Sequence, residues 1–170
     1  MYKLLFCVMI SMLMMSCESD DVIDSAKDLL GIKDKFTAEI NGKSWSADVR
    51  VVKKMTSPVN SFSIVGTSID GQVIQITTVG DTKGDYSISL MESIAKLNLN
   101  LFIASYTKKV SDISTLSKAT KGEVEITEIG KKDGKDYISG TFELTITTDN
   151  GDIEIKNGVF KELFYSNKEE

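Results

Sequence analysis

The chain has 170 residues, 41% of them apolar and 26% charged, with a net charge of −5 and no histidine. That length fits one domain, and the acidic balance leaves no basic stripe to neutralise phosphates, which argues against nucleic acid as a partner. Without histidine, Ser-His-Asp and Cys-His triads cannot be built and the usual nitrogen ligand for zinc, copper or iron is missing, so no catalytic residue, metal or cofactor is assigned.

Residues 1–16 read as a signal peptide. Lys3 supplies a positive start, and residues 4–15 are apolar except for Ser11. A run of roughly twelve apolar residues is too short to span a bilayer, which takes ~20. Ser16 is the small residue expected before a cleavage site, which makes Cys17 the candidate mature N-terminus. Leu13-Met14-Met15-Ser16-Cys17 resembles a bacterial lipoprotein lipobox, with Met14 standing where leucine is preferred. The resemblance implies that the Cys17 thiol receives a diacylglyceryl group and holds the chain to a membrane. Cys7 leaves with the signal, so the mature chain has no thiol for a disulfide and its fold rests on packing. The next residues, Glu18-Ser19-Asp20-Asp21, resemble the surface-export signal of lipoproteins in Bacteroidetes-type bacteria. That resemblance implies an outer-membrane location facing the cell exterior. The alternative is a solvated spacer whose acids favour a helix N-terminus.

Residues 17–35 form the tether. Ser19 is placed to cap a short helix in which Val22, Ile23, Ala26, Leu29 and Leu30 recur at helical spacing, and Gly31 is a stop. Six acids against three lysines make this segment a poor match for an anionic membrane surface.

From Phe36 the period changes to two, and residues 36–170 are expected to form a β-rich domain. Phe36-Thr37-Ala38-Glu39-Ile40 alternates, Asn41-Gly42 is a hairpin signal, and Lys43-Ser44-Trp45-Ser46-Ala47 returns. A two-residue turn sets Ala38 opposite Trp45 and Phe36 opposite Ala47, so all four share one face. A three-residue loop at Ile69-Asp70-Gly71 pairs Ile64 with Ile76 and Gly66 with Ile74, and requires Gly71 in the left-handed region. Further strands are expected at 84–88, 97–103, 124–126 and 138–146, and then at 153–155 and 159–165. Turns fall at Asp133-Gly134 and Asp149-Asn150-Gly151. The spacing predicts an all-β antiparallel meander of about nine or ten strands, forming a sandwich or an open, lipocalin-like barrel. Residues 107–121, rich in Ser, Thr and Lys, are its longest expected loop.

FTAEINGKSWSA, GEVEITEI, YISGTFELTITTDNG and IEIKNGVF together resemble a family of uncharacterised Bacteroidetes lipoproteins. The resemblance lies in strand and turn patterns over most of residues 36–165. It implies an anchored all-β domain and brings no catalytic residue.

Candidate chemistry is sparse. Asp149-Asn150-Gly151-Asp152 has oxygen ligands beside a glycine but lacks the acids and distal glutamate of a full calcium loop, so it reads as a turn. Trp45, the only tryptophan, would stack on a sugar if exposed, but its shared face with Phe36 and Ala38 favours the core. Glu123, Glu125, Glu128 and Glu143 on neighbouring strands are the one carboxylate set that could serve glycoside hydrolysis. Two non-catalytic readings remain: a binding module for a protein or glycan partner, and a carrier holding an apolar ligand in a barrel lumen. Large inward residues at Trp45, Phe62, Phe102 and Phe142 would favour the first.

Overall fold

The computed structural model describes residues 35–89 and 100–165. The signal peptide, Cys17, the Glu18-Ser19-Asp20-Asp21 cluster, the tether through residue 34, and residues 97–99 of an expected strand lie outside the described residues. Eleven strands follow in order: β1 (Lys35–Ile40), β2 (Lys43–Ser46), β3 (Val49–Met55), β4 (Ser61–Thr67), β5 (Val73–Val79), β6 (Gly84–Ser87), β7 (Leu101–Thr107), β8 (Leu116–Lys118), β9 (Lys121–Lys132), β10 (Lys135–Thr148) and β11 (Gly151–Tyr165). One 3-10 turn, Ile113–Thr115, precedes β8. The described chain is all-β.

The strands make one sheet in the order β2-β1-β11-β10-β9-β6-β7-β5-β4-β3, with β8 added to β7. The sheet curls into a half-barrel. Its two ends, β2 and β3, are successive pieces of chain joined at a corner. There the Ala47 N–H donates to the Phe36 carbonyl at 2.8 Å, still in the β1 ladder, and the Asp48 N–H donates to the Thr67 carbonyl at 2.9 Å, already in the β4 ladder.

Local chemistry explains the turns. Asn41 and Gly42 take φ of 50° and 74° and pair Ala38 with Trp45 as the alternation requires. At the β4–β5 turn the Gly71 N–H donates to the Ser68 carbonyl, Gly71 has φ 86°, and the register pairs Ile64 with Ile76 and Gly66 with Ile74. Asp133 and Gly134, at φ 50° and 78°, close β9 onto β10.

Four expectations need correction. β3 is an additional strand that alternation does not reveal, because Val49, Val51 and Val52 straddle both phases; of these only Val52 is buried. Residues 107–121 are not one long loop, since they contain β8, which pairs with Ser105, Tyr106 and Thr107. The meander is also interrupted. β5 pairs with β7, and β6 lies between β7 and β9, touching β7 in parallel at Ser87 and Leu101. Gly80 and Gly84, at φ 123° and 128°, turn the chain out of β5 where a side chain would be strained. The two short strands expected after the 149–151 turn are one strand, β11, bulged around Asn157 and Glu162, whose φ values are 51° and 49°.

The inner face is filled. Phe36, Phe62, Phe102, Phe142, Phe160, Trp45 and Tyr86 are all buried among Ile64, Ile74, Ile76, Ile126, Ile138 and Ile155. Phe36 meets Trp45 and Phe142 edge-on, with ring centroids 5.4 and 5.6 Å apart. The Tyr86 hydroxyl reaches the Thr82 carbonyl at 2.7 Å, so its polar end is satisfied. The Trp45 Nε1 is buried without a hydrogen-bond partner.

Candidate functional site

The convex outer surface is divided by charge. On β3, β4, β5, β7 and β8, alternation sends every second side chain outward, and the register aligns them in rows. Val51 stands beside Val65, then Gln75, Ser105 and Lys118. The next row is Lys53, Ser63, Thr77 and Ile103. A third runs Val49, Thr67, Val73, Thr107 and Leu116. None of these positions carries a carboxylate, and Lys53 and Lys118 are the only charges among them. Ile103 is 60% exposed, Val49 59% and Leu116 53%. Val49, Val51, Val65 and Val73 neighbour one another, and Ser, Thr and Gln positions separate them from Ile103 and Leu116, so the face is an uncharged mixed surface with an apolar patch at its β3–β5 end.

One edge of this face is held firmly. The Val110 N–H donates to the Gly71 carbonyl at 2.7 Å, tying the β7–β8 connection to the β4–β5 turn. Asp112 caps the 3-10 turn by accepting from the Ser114 N–H at 3.1 Å and its hydroxyl at 2.6 Å. In the β4–β5 turn, Asp70 accepts from Ser68 and, at 2.5 Å, from Gln72 Nε2, and these bonds hold its carboxyl below the usual range. The Tyr106 hydroxyl donates to Gln72 Oε1 at 2.8 Å, and burial raises its pKa. The segment expected as the longest loop is thus a pinned margin of the sheet.

The other half of the surface is acidic. Glu123 lies opposite Glu143 across β9 and β10, and Asp85 lies opposite Glu125 across β6 and β9. They rim a groove of about 640 Å³ that also includes Thr141, Lys156 and Val159. Gly122 and Gly158 also line the groove, whereas Gly140 faces the core, where a Cβ would strike Phe160 Cζ at 2.3 Å. Lys156 pairs with Glu154 at 2.7 Å, and Glu154 first, then Glu143, raises its pKa. Glu128 is not part of the set; it accepts from the Tyr137 hydroxyl, which raises the phenol's pKa. Asp85 was not among the carboxylates picked out by sequence, because nothing local shows that β6 will dock beside β9. The described residues contain no group of three or more His, Cys, Asp or Glu side chains able to hold a metal ion.

The remaining sequence candidates fall into structural roles. Trp45 is 5% exposed and belongs to the core, so it offers no platform for a sugar. Asp149 and Asn150 make the β10–β11 turn, in which the Thr148 hydroxyl donates to the Gly151 carbonyl at 2.8 Å.

Residues 33–163 match the family model described as Domain of unknown function (DUF6252). Neither a curated protein nor a solved structure matches the chain.

Proposed function

For a chain that belongs to the DUF6252 family of domains of unknown function, we propose a lipid-anchored, non-catalytic binding module, displayed on the outer membrane towards the cell exterior, that docks a protein partner. Cys17 carries the lipid, and Glu18, Ser19, Asp20 and Asp21 direct export. The observation that carries the binding reading is the carboxylate-free outer face with Val49, Val51, Ile103 and Leu116 exposed on it. A glycan partner would favour exposed aromatic platforms, and the rows of this face contain none. The carrier alternative needs a lumen, whereas the inward positions here are taken by Phe36, Phe62, Phe102, Phe142 and Phe160.

The test places a photo-crosslinking residue at Ile103 in cells and, as a control, at Thr141 on the acidic half. A discrete crosslinked protein from position 103, absent from position 141 and lost with Val51→Glu, is the expected result. Equal crosslinking from both positions would reject the face. Turnover of a polysaccharide by the purified chain, abolished by Glu123→Gln or Glu143→Gln, would replace the module with an enzyme. A co-purifying apolar small molecule would favour the carrier.

A further inference from the structure

A slot of about 560 Å³ lies between β3 and the end of β11, walled by Val51, Phe164 and Tyr165. Phe164 is 42% exposed there. Arg50 and Lys135 bring two positive charges to the lining, against one carboxylate, Asp136, which Lys131 already faces at 3.6 Å. The slot is apolar with a positive balance.

The β4–β5 turn has the matching chemistry. Ile69 is 91% exposed, more than any other large apolar side chain among the described residues. A single exposed apolar residue means little by itself, but this one is held rigidly. Its N–H donates to Asp48 Oδ2 at 2.7 Å, the Gly71 N–H closes the turn onto the Ser68 carbonyl at 2.9 Å, and the Gln72 N–H donates to Ser68 Oγ at 3.1 Å. A tip ordered before it binds loses little freedom on docking. The carboxylates adjoining Ile69 are Asp48 and Asp70, and the bonds to Asp70 keep it ionised. Lys108 and Lys109 belong to the Val110 side, so negative charge lies on the Ile69 side of the tip.

We propose that the Ile69-Asp70-Gly71 turn of one copy docks in the β3–β11 slot of a second copy. Ile69 enters between Val51 and Phe164, and the Asp70 carboxylate faces the Lys135 ammonium. Ile69 does not line the slot of its own copy, and the bond to Asp48 pins the turn, so the contact runs between copies. Each copy brings one turn and one slot, a contact of unlike surfaces. Turn against turn is a poorer match, because it sets Asp70 against Asp70. An anionic lipid layer is poorer too, since it repels Asp48 and Asp70. The inference rests on neither the lipid anchor nor the outer-face partner.

The test places a photo-crosslinking phenylalanine analogue at Phe164 of one full-length copy, co-expressed with a second, differently tagged copy. The expected product carries both tags, joined within residues 68–72 of the second copy. Ile69→Ser in the second copy should lower its yield at least ~10-fold, while Ile69→Leu should keep it. Asp70→Lys in the second copy and Lys135→Asp in the first should each lower the yield, and the two together should restore it. Should Asp70→Lys lower the melting temperature, the Ile69 pair decides, since that side chain is almost wholly exposed in its own copy. A product that never carries both tags, one joined to another region of the second copy, or equal yields from Ile69→Ser and Ile69→Leu would overturn the proposal.

Discussion

Gly66 lies flat against the ring of Phe36. A Cβ built on Gly66 would stand 2.6 Å from Phe36 Cδ1 and 2.9 Å from Trp45 Cη2. Both rings are buried and hemmed in by others, so neither can move aside. This contact joins β4 to β1 and β2 across the core, between strands at opposite ends of the sheet order.

Gly66→Ala is therefore expected to destabilise by about 1–3 kcal/mol through overpacking. Chemical denaturation followed by the emission of Trp45, the sole tryptophan, reads the change. An unaltered midpoint would show that the ring relaxes freely.

At Gly71 the difficulty is backbone rather than space. An added Cβ would meet Val110 only at 3.6 Å, an ordinary contact, but φ is 86°. Gly71→Val should destabilise by about 1–2 kcal/mol, and Gly71→Asn by much less, because asparagine tolerates this region. Equal losses for the two variants would point to the Val110 contact instead.

Trp45→Phe removes the buried Nε1 that lacks a partner. Leaving such a donor unsatisfied costs about 1–3 kcal/mol, which offsets much of the packing lost with the larger ring. The variant should fall within about 1 kcal/mol of the native chain, while Phe36→Ala should lose about 3–5 kcal/mol. Thermal unfolding by circular dichroism compares them.

Stability should be flat through neutral pH, since no histidine is present to change charge there. Lys54 is raised above its ordinary value chiefly by its bond to Asp81, at 2.9 Å. Burial raises the phenols of Tyr106 and Tyr165. In each case the folded state holds its proton longer than the unfolded one. The contribution is complete below the unfolded values and is lost as pH rises through the folded ones, above about pH 10. Asp70 behaves oppositely, its contribution fading as pH falls below the usual carboxylate range. Melting temperatures across the pH range check both signs, and Lys54→Met should flatten the alkaline decline.

Cys17→Ser should abolish acyl labelling and detergent-phase partitioning, because a hydroxyl cannot replace the thiol in the lipid transfer. An acylated, detergent-partitioning Cys17→Ser protein would rule out Cys17 as the anchor point.

What could be read from sequence was what neighbours in the chain decide. Asn41-Gly42 and Ile69-Asp70-Gly71 are turns whose residues dictate their own geometry, and the apolar phase of the flanking strands fixes the register. Hidden features depend on distant partners. β3 shows no clean apolar alternation because Arg50 and Lys54 share the inward phase with Val52 while Val49 and Val51 face outward. The outer face is legible only as rows across five strands, and Asp85 joins Glu123, Glu125 and Glu143 only because β6 leaves sequence order. Gly66 reads as a weak spot in a strand until Phe36 is placed over it.

The pairing of β1 with β11 carries a consequence for how the domain is made. Phe36 sits opposite Phe160, so the first strand of the domain waits for its last. Until then β1 has only the short β2 beside it, and a two-stranded ribbon is marginal in water. Ladders this far apart in sequence close slowly, with loop-closure entropy paid before the contacts form. A chain lacking β11 can still pair β10-β9-β6-β7-β5-β4-β3, but it leaves β1 and β2 as an isolated ribbon, so the sheet is completed at that end only when β11 docks.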